Sequence, residues 1–476
     1  MLFGTSGIRG IYGKDITEEL AYKVANVFAE KNVVIARDTR QSGKSLETAC
    51  ISGVVARWKT AHRLEIAPTP TLALATIKHD CLGIMITASH NPEEYNGFKL
   101  FKNGKELSRR DEREFEERFN KTKIDSVNKP FAMDPGYISF SGTDKVKIIS
   151  AIEDHKSMIK KMVDCDAIAK RKPKVVVDCN GAAAAITPYL LRELGCHVIS
   201  MNAEMEGFNR PSEPNAENLQ ATTKIVKAIG ADLGIAHDGD GDRCVVIDET
   251  GEILPLDIQL AIMIENELSC WTNISALCLD ELAGSKRQET RNLKPKTSSP
   301  NPIIISTIEA SLLIREICEK NSAEIKITPV SSVHISQELE KSNALFGGEP
   351  CGEYVFGNAE HHAPDGVLAA AKFVEIFTTR GKLSELKMKY RQYPMLREKF
   401  KCEESKFDKV KKIAKMVEIK GERNEEDGLR IDEEDGWFLI RASGTEPIIR
   451  LTMEYKNKKK IEKRAEELRE IIKNCL

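Results

Sequence analysis

A short apolar stretch that breaks into a polar loop constrains this chain more than any other feature. Residues Leu82 to Thr87 are almost wholly apolar, which is the pattern of a strand buried on both faces of a sheet. The next residues, Ala88-Ser-His-Asn-Pro92, are small and polar, and the proline resists helix continuation. The pattern predicts an α/β sheet with Ser89 at the carboxyl end of a central strand, where such sheets bind ligands. A Ser-His pair taken alone favours an ordinary strand-to-loop turn.

A second polar loop, Asp238-Gly-Asp-Gly-Asp242, follows the apolar stretch that begins at Ala231. Its carboxylates alternate with glycines, which let the backbone curl so that the carboxylates converge on one hard cation. Without a cation they would repel one another, so the pattern favours a bound divalent ion. A calcium loop of the EF-hand type is disfavoured, because Arg243 occupies its obligatory glycine position and apolar sequence replaces its second half. A surface acidic turn is the other alternative.

The segment Thr87-Ala-Ser-His-Asn-Pro92, followed by Tyr95-Asn-Gly-Phe-Lys99, resembles the signature of the α-D-phosphohexomutases. This family includes phosphoglucomutase, phosphomannomutase and phosphoglucosamine mutase. The resemblance implies that Ser89 carries a phosphoryl group. His90 and Lys99 lie close to Ser89 in the sequence and are able to move a proton, so we expect them to serve the sugar hydroxyls.

The same resemblance gives roles to the acidic loop. It implies that Asp238, Asp240 and Asp242, together with an oxygen of the Ser89 phosphate, coordinate Mg²⁺. It also implies that Arg243 contacts the substrate.

The chain begins with Phe3-Gly-Thr-Ser-Gly-Ile-Arg-Gly10. Glycines, hydroxyls and an arginine fit a loop that contacts an anion, although the pattern alone favours a flexible terminus. The family begins its first domain in the same way, and the resemblance implies that Arg9 faces the active serine.

A third loop, Phe346-Gly-Gly-Glu-Pro-Cys-Gly-Glu-Tyr354, combines glycines with a proline and predicts a rigid turn. The family carries Gly-Glu-x-Ser-Gly here as its sugar-reading loop, which implies that Glu349 accepts hydrogen bonds from sugar hydroxyls. Cys351 replaces the family's serine, and this version resembles archaeal phosphoglucosamine mutases. Upstream, Ser331 and Ser332 stand where the family normally has a glycine and an acidic or polar residue.

The fourth motif, Arg441-Ala-Ser-Gly-Thr-Glu-Pro-Ile-Ile-Arg450, places hydroxyls and small residues between two arginines. This composition suits a phosphate dianion, whereas a hairpin turn explains only the glycine. The family uses Arg-x-Ser-Gly-Thr-Glu-Pro as its phosphate-binding loop. The residues that the resemblance assigns to substrate phosphate are Arg441, Ser443, Gly444, Thr445 and Arg450.

At 476 residues the chain is too long for one core, and its strands and helices alternate until the last quarter. The resemblance implies an α/β fold with three similar mixed-sheet domains and a C-terminal α+β domain around a central cleft. We expect the phosphoserine loop in residues 1–145, the metal loop in 146–250, the sugar loop in 251–376 and the phosphate loop in 377–476.

Some local expectations go beyond the motifs. Loop-like sequence lies between Asp125 and Gly142, and a helix is expected from about Val146. A helix from Leu256 to Glu267 is followed by Cys270 to Pro302, which we interpret as an insertion. The neighbouring His361 and His362 suggest a metal site, but the sequence offers no second group of ligands, so loop chemistry is favoured.

Composition narrows the class of protein. A net charge of −2 argues against nucleic acid or a membrane as the main partner, and no apolar run approaches the length of a membrane span. The twelve cysteines are scattered, which is typical of reduced thiols in a cytoplasmic protein.

The resemblance implies a phosphohexomutase that works through a phosphoserine and a hexose 1,6-bisphosphate intermediate, with Mg²⁺ as cofactor. Glucosamine 6-phosphate and glucosamine 1-phosphate are the leading sugar-phosphate substrates. Mixed phosphoglucomutase and phosphomannomutase activity is the alternative, and a non-catalytic sugar-phosphate-binding relative is a third reading. A monomer and a homodimer both stay open.

Overall fold

The strands of the chain form four separate sheets. The computed structural model describes residues 2–4, 6–123, 144–282, 301–402, 405–418, 420–443 and 447–476. In these ranges three sheets are mixed and the fourth is antiparallel, as the predicted fold class requires. No helix in the described part of the chain has the length and apolar character needed to cross a membrane.

The first sheet and its helices comprise β1 (Ile8–Ile11), α1 (Glu18–Phe28), β2 (Val33–Arg37), α2 (Gly43–Val55), β3 (Ala61–Ile66), α3 (Thr69–Lys78), β4 (Leu82–Ile86), β5 (Tyr95–Lys102), β6 (Lys105–Glu106), α4 (Arg109–Lys121) and β7 (Val146–Ile148). The strand order is β1-β5-β4-β2-β3-β7, with β6 beside β5. Thr17 begins α1 by accepting a hydrogen bond from the backbone N–H of Leu20. The expected helix at Val146 is wrong, because this segment pairs in parallel with β3 as an edge strand.

The second sheet comprises α5 (Ile152–Met162), α6 (Cys165–Arg171), β8 (Lys174–Asp178), α7 (Thr187–Glu193), β9 (His197–Met201), α8 (Gln220–Ala228), β10 (Leu233–Ala236) and β11 (Val245–Ile247). The third comprises α9 (Leu256–Leu282), β12 (Ile303–Thr307), α10 (Leu312–Lys320), β13 (Glu324–Thr328), α11 (Ser332–Ser342), β14 (Phe346–Glu349), β15 (Glu353–Phe356) and α12 (Gly366–Arg380). Their strand orders are β11-β10-β8-β9 and β13-β12-β14-β15. One hydrophobic core joins these sheets, since Ile235, Ile304 and Phe373 belong to the same buried cluster.

The end of α9 differs from the expectation. The helix does not stop at Glu267 but continues through Cys270 to Leu282, in a stretch without glycine or proline before Gly284. The rest of the expected insertion, residues 283–300, lies outside the described residues, as does the expected loop from Asp125 to Gly142.

The last sheet comprises α13 (Leu383–Lys387), β16 (Met395–Lys401), α14 (Lys406–Met416), β17 (Glu422–Asn424), β18 (Leu429–Glu433), β19 (Gly436–Ala442), β20 (Ile448–Tyr455) and α15 (Lys458–Cys475). Its order is β16-β20-β19-β18-β17. Alternate strand residues face opposite sides: Phe438 and Ile440 pack in the core with α14 and α15, whereas Trp437 and Leu439 pack against Ile308 of the third domain.

The three mixed sheets share one topology. In each sheet a central strand (β2, β8 or β12) lies between the next two strands of the chain, and all three run parallel. A short hairpin then connects the second of those two strands to an antiparallel strand beside it. The hairpins are β4–β5, β10–β11 and β14–β15, and they carry Ser89, the acidic loop and Cys351 respectively. The motifs therefore occupy equivalent positions in successive repeats.

Candidate active site

The loop that carries Ser89 is held in a fixed, high-energy backbone shape. Ser89 has φ of 50°, in the left-handed region that non-glycine residues seldom adopt, and its N–H donates to Thr87 Oγ1 at 2.8 Å. Arg40 is buried beneath the loop and donates from Nη2 to the carbonyls of Ser89 at 2.9 Å and Asn91 at 2.8 Å. Asp38 Oδ2 accepts from Arg40 Nε at 3.0 Å, so this arginine is itself oriented.

The Ser89 hydroxyl lies against the acidic loop of the second sheet. Ser89 Oγ donates to Asp238 Oδ2 at 2.7 Å, and both residues are buried. Burial and the neighbouring charge of Asp240 raise the pKa of Asp238 to about 6. The serine and Asp238 of the acidic loop, which lie 149 residues apart in the sequence, therefore meet at one point.

Lys99 joins the other two carboxylates. Its Nζ donates to Asp240 Oδ2 at 2.7 Å and to Asp242 Oδ2 at 2.6 Å. Burial alone would lower the pKa of Lys99, but the charges of Asp240 and Asp242 outweigh it and hold this pKa above its ordinary value. Thr69 Oγ1 also donates to Asp240 Oδ2 at 2.6 Å, which adds a contact from α3.

The acidic loop has the donor set of a divalent-cation site. Asp238, Asp240 and Asp242 are all buried, and one carboxylate oxygen from each lies within 4.8 Å of the others. Asp240 Oδ1 and Asp242 Oδ1 are buried with no hydrogen-bond donor among the described residues. Buried carboxylate oxygens without a donor are costly, and a hard cation bound by oxygen ligands satisfies them. The residues present therefore fit a metal ion.

His90 and Arg9 complete the surroundings of Ser89. His90 Nδ1 lies 3.4 Å from Ser89 Oγ. The charge of Arg243, together with burial and the charge of Arg9, lowers the pKa of His90 to about 2, so its ring is neutral. Arg9 Nη1 donates to Asn91 Oδ1 at 3.2 Å, which places the N-terminal motif on the serine loop.

Ser212 is a bridge that the sequence did not reveal. Its Oγ donates to the carbonyl of Ser89 at 2.8 Å and accepts from the N–H of Gly239 at 2.9 Å, so it ties the serine loop to the acidic loop. A Cβ at Gly239 would lie 2.7 Å from the Phe208 ring and 2.9 Å from the Ser89 carbonyl, so only glycine permits this approach.

Arg243 links the acidic loop to the third hairpin. Its Nε donates to Glu353 Oε1 at 3.1 Å, and its N–H donates to Asp238 Oδ1 at 3.2 Å. Gly352 has φ of 90°, and a Cβ there would lie 2.9 Å from the Cys244 carbonyl, which again requires glycine at a junction between domains. Burial and the charge of Glu353 hold the pKa of the nearby Cys351 thiol well above its ordinary value, so it stays protonated.

Glu349 lies at the end of β14 and is buried. Its Oε1 accepts from the N–H of Ser331 at 3.0 Å. Burial and the charges of Glu353 and Glu309 hold the pKa of Glu349 well above its ordinary value. Ser331 has φ of 143° and ψ of 136°, a shape suited to glycine, so the serine at this family glycine position keeps a glycine-like backbone.

The phosphate motif lies on the β19–β20 hairpin. Arg441 and Arg450 are directly opposite each other in the strand register. Like charges at such a pair are unfavourable, and an anion between them removes the penalty. Ser443 is buried and its N–H donates to the Ile448 carbonyl at 3.0 Å. Gly444 and Thr445 lie outside the described residues.

A second buried group of ligand-type side chains contains one of the paired histidines. His155 Nε2 lies 2.8 Å and His361 Nε2 3.3 Å from Asp365 Oδ2. The N–H of Ala363 donates to His361 Nδ1, so the proton of that ring is on Nε2, facing the carboxylate. Thr71 Oγ1 on α3 contacts His155 Nδ1 at 2.8 Å. The hydrogen bonds of His155 to Thr71 and Asp365 form a clamp that joins α3, α5 and the start of α12.

Four family models match successive parts of the chain. They are described as phosphoglucomutase/phosphomannomutase alpha/beta/alpha domain I at residues 1–125, domain II at 153–251 and domain III at 276–393, and the C-terminal domain at 398–471.

Relatives of similar length match almost the whole chain. A probable phosphoglucosamine mutase from Methanococcoides burtonii is 37% identical and covers 95% of both chains. The phosphoglucosamine mutase of Methanocaldococcus jannaschii is 36% identical over 100% of this chain and 99% of its own. A phosphoglucomutase/phosphomannomutase from Thermococcus kodakarensis is 37% identical over 96% and 95%.

Solved structures have the same fold. A phosphoglucomutase/phosphomannomutase family protein from Burkholderia thailandensis superposes with a TM-score of 0.79 at 23% identity, covering 100% of this chain and 97% of that one. An N-acetylphosphoglucosamine mutase from Aspergillus fumigatus, in complex with GlcNAc-6P and magnesium, superposes with a TM-score of 0.57 at 14% identity, over 100% and 96%.

Proposed function

Because the chain belongs to the phosphoglucomutase/phosphomannomutase family, we propose that it interconverts glucosamine 6-phosphate and glucosamine 1-phosphate through a phosphoryl group on Ser89. The chain is a phosphohexomutase, that is, an isomerase that moves a phosphoryl group within its substrate. One observation carries the proposal for the site: Ser89 Oγ lies 2.7 Å from Asp238, at the meeting point of two hairpins.

In the proposed reaction the bond between phosphorus and Ser89 Oγ breaks while phosphorus bonds to a free sugar hydroxyl, whose proton passes to a neighbouring group. The resulting hexose 1,6-bisphosphate turns over and returns its other phosphoryl group to Ser89. Phosphoryl transfer depends mainly on positioning and charge neutralisation. The bonds of Arg40 and Ser212 to the Ser89 carbonyl supply the positioning.

We assign metal binding to Asp238, Asp240 and Asp242, whose buried oxygens suit Mg²⁺. Bound there, the ion supplies charge neutralisation for the phosphoryl group. His90 and Lys99 are the groups placed to exchange protons with the sugar hydroxyls, and Arg9 adds positive charge beside the serine loop.

We assign sugar recognition to Glu349 and Cys351 on the β14–β15 hairpin and to Arg243 on the β10–β11 hairpin. Glu349 is held by the N–H of Ser331, and Arg243 by Glu353. The second phosphate is assigned to Arg441, Ser443, Gly444, Thr445 and Arg450. The opposed arginines of β19 and β20 support this assignment. The four domains, divided near residues 145, 250 and 376, would close around the substrate.

Glucose and mannose phosphates are a second candidate pair, favoured by the name of the Thermococcus relative. A kinetic panel distinguishes the candidates: kcat/KM is measured for glucosamine, glucose and mannose 1-phosphates with Mg²⁺ and a hexose 1,6-bisphosphate. We expect the highest value for glucosamine 1-phosphate. A higher value for glucose or mannose would reject the substrate assignment, and no turnover of any would reject the proposed reaction.

A further inference from the structure

One carboxylate oxygen outside the reaction centre accepts hydrogen bonds from two different domains. Asp427 Oδ2 accepts from Arg441 Nε at 2.8 Å, on β19, and from the N–H of Val330 at 3.1 Å, in the loop before α11. Asp427 lies in the turn between β17 and β18. The next residue, Gly428, has φ of 102°, and a Cβ there would lie 2.5 Å from the Ile440 carbonyl. The turn is therefore closely packed against β19, which fixes the carboxylate beside Arg441.

The loop that Asp427 contacts also holds the sugar-reading glutamate. Val330 is followed by Ser331, whose N–H donates to Glu349 Oε1 at 3.0 Å. Ser331 holds its glycine-like backbone shape while its Oγ accepts from the N–H of Val333 to begin α11. A strained residue keeps its shape only where its surroundings fix it, and Asp427 fixes the preceding residue. The adjacent N–H groups of Val330 and Ser331 thus donate to two different carboxylates. One is that of Asp427, beside Arg441, and the other is that of Glu349, in the sugar-reading loop.

We propose that Asp427 is a positioning residue that joins the phosphate-binding arginine to the sugar-reading loop. The proposal rests on the proposed role of Arg441 in phosphate binding. By occupying Nε, Asp427 fixes the plane of the guanidinium, so that its terminal nitrogens are presented together to a phosphate. By accepting from Val330, the same oxygen holds the loop of Glu349 at a set distance from that phosphate.

Other contacts already hold the last sheet to the third domain, so Asp427 is not needed for docking. Glu454 Oε2 accepts from the N–H of Leu312 at 2.7 Å, and Arg315 Nη2 donates to Asp432 Oδ2 at 3.0 Å. Arg430, buried on Trp437, donates to the carbonyl of Ala310 at 3.2 Å. Loss of the Asp427 carboxylate should therefore leave the folded structure in place and alter substrate affinity.

The test is a double-mutant cycle of D427N and R441K, with KM and kcat measured for glucosamine 6-phosphate in the full-length protein. We expect D427N to raise KM about tenfold with kcat nearly unchanged, because a phosphate contact present in substrate and transition state alike acts on KM. In the R441K background D427N should change KM by less than about twofold, because the planar guanidinium it orients is gone. A thermal unfolding midpoint of D427N equal to that of the wild type shows that the variant is folded.

D435N is the matched control. Asp435 lies in the turn at the other end of β18, where it pairs with Lys460. We expect the KM of the D435N enzyme to equal that of the wild type. An unchanged or lower KM in D427N, or an equal effect in both backgrounds, would overturn the positioning role while leaving the function of Arg441 intact. An unchanged KM in R441K itself would instead remove Arg441 from phosphate binding, and with it the basis of the inference.

Discussion

The site has two halves, and they differ in how their charged groups are held. The reaction half consists of Ser89, Lys99 and the acidic loop, and the recognition half consists of the residues that we assign to the sugar and the second phosphate. In the reaction half, Lys99 and Asp242 are each 4% exposed and Asp240 is fully buried, and direct bonds of 2.6–2.7 Å join them. In the recognition half, the Arg441 side chain is 12% and the Asp427 side chain 25% exposed. Charges interact more strongly where water is excluded. The reaction half is thus preorganised, whereas the part of the recognition half around Arg441 retains room for adjustment.

This difference suits a reaction whose intermediate must turn over. The chemistry at Ser89 is the same for either phosphate, so its surroundings need one geometry. In the proposed reaction, the hairpin that we assign to phosphate binding would accept the 1-phosphate and the 6-phosphate in alternate half-reactions, which favours contacts that can reform. Substitutions in the reaction half should therefore act on kcat, and substitutions in the recognition half on KM.

The largest effect is expected from S89A. Removal of the hydroxyl that carries the phosphoryl group should lower kcat by about 10⁴-fold or more, as losses of covalent nucleophiles do. Turnover is measured with a coupled assay, and thermal unfolding checks the fold. S52A on α2 removes a hydroxyl whose one hydrogen bond among the described residues is to the Thr48 carbonyl of the same helix, and we expect full activity from this variant. If S89A were nearly as active as S52A, Ser89 would not carry the phosphoryl group, and the reaction half would have no basis.

The next effect concerns the acidic loop. D240N should lower kcat by about a hundredfold or more and raise the Mg²⁺ concentration for half-maximal activity, because it removes a proposed metal ligand and a partner of Lys99. Removal of divalent ions with a chelator should abolish wild-type turnover, and added Mg²⁺ should restore it. D408N, at an exposed position of α14, is the control. A D240N enzyme with the wild-type Mg²⁺ dependence would contradict the metal assignment.

R441K should have a smaller effect and a different kinetic signature. Lysine keeps the charge but loses the planar fork, so KM for the sugar phosphate should rise about tenfold to a hundredfold with little change in kcat. The measurement is steady-state kinetics over a range of substrate concentrations. A loss confined to kcat would contradict the division between the two halves.

The smallest effect on activity is expected from D365N, which tests the clamp beneath the reaction half. Burial alone would raise the pKa of Asp365, but His155 and His361 outweigh it and hold this pKa below its ordinary value. The ionised carboxylate therefore stabilises the fold above about pH 4, and this contribution is lost as the pH falls through the depressed pKa.

At neutral pH, D365N should lower the free energy of unfolding by about 1–3 kcal/mol, because asparagine still caps α12 but its neutral amide interacts more weakly with His155 and His361. Urea unfolding of both proteins from pH 7 to pH 3 should show the difference narrow below about pH 4. A difference that is constant over this range would mean that the carboxylate charge does not contribute.

Local patterns in the sequence predicted the main residues of the reaction half. A strand ending in a polar loop predicted the place of Ser89, and alternate carboxylates predicted the acidic cluster. The resemblance added that the two share one site, and in the structure Ser89 Oγ donates a hydrogen bond to Asp238. The repeated hairpin topology explains why motifs far apart in sequence share one site.

The supporting residues were not predictable in this way. Ser212, Thr69 and Asp427 are single polar residues in loops or at a helix start, and each acts on a partner far along the chain. Nothing in their own neighbourhoods distinguishes them from solvent-exposed polar residues. The edge strand at Val146 was likewise missed, because a strand of three residues is too short to show the alternation of apolar and polar residues that predicts a strand.

The most direct test of the phosphoserine reaction is to locate the phosphoryl group during turnover. The protein is incubated with Mg²⁺ and a hexose 1,6-bisphosphate, digested, and mapped by mass spectrometry before and after addition of excess hexose monophosphate. We expect one phosphate per chain on the peptide containing Ser89, and its transfer to the sugar at the rate of turnover. An active enzyme with phosphate on another residue, or with none during turnover, would contradict the proposed reaction.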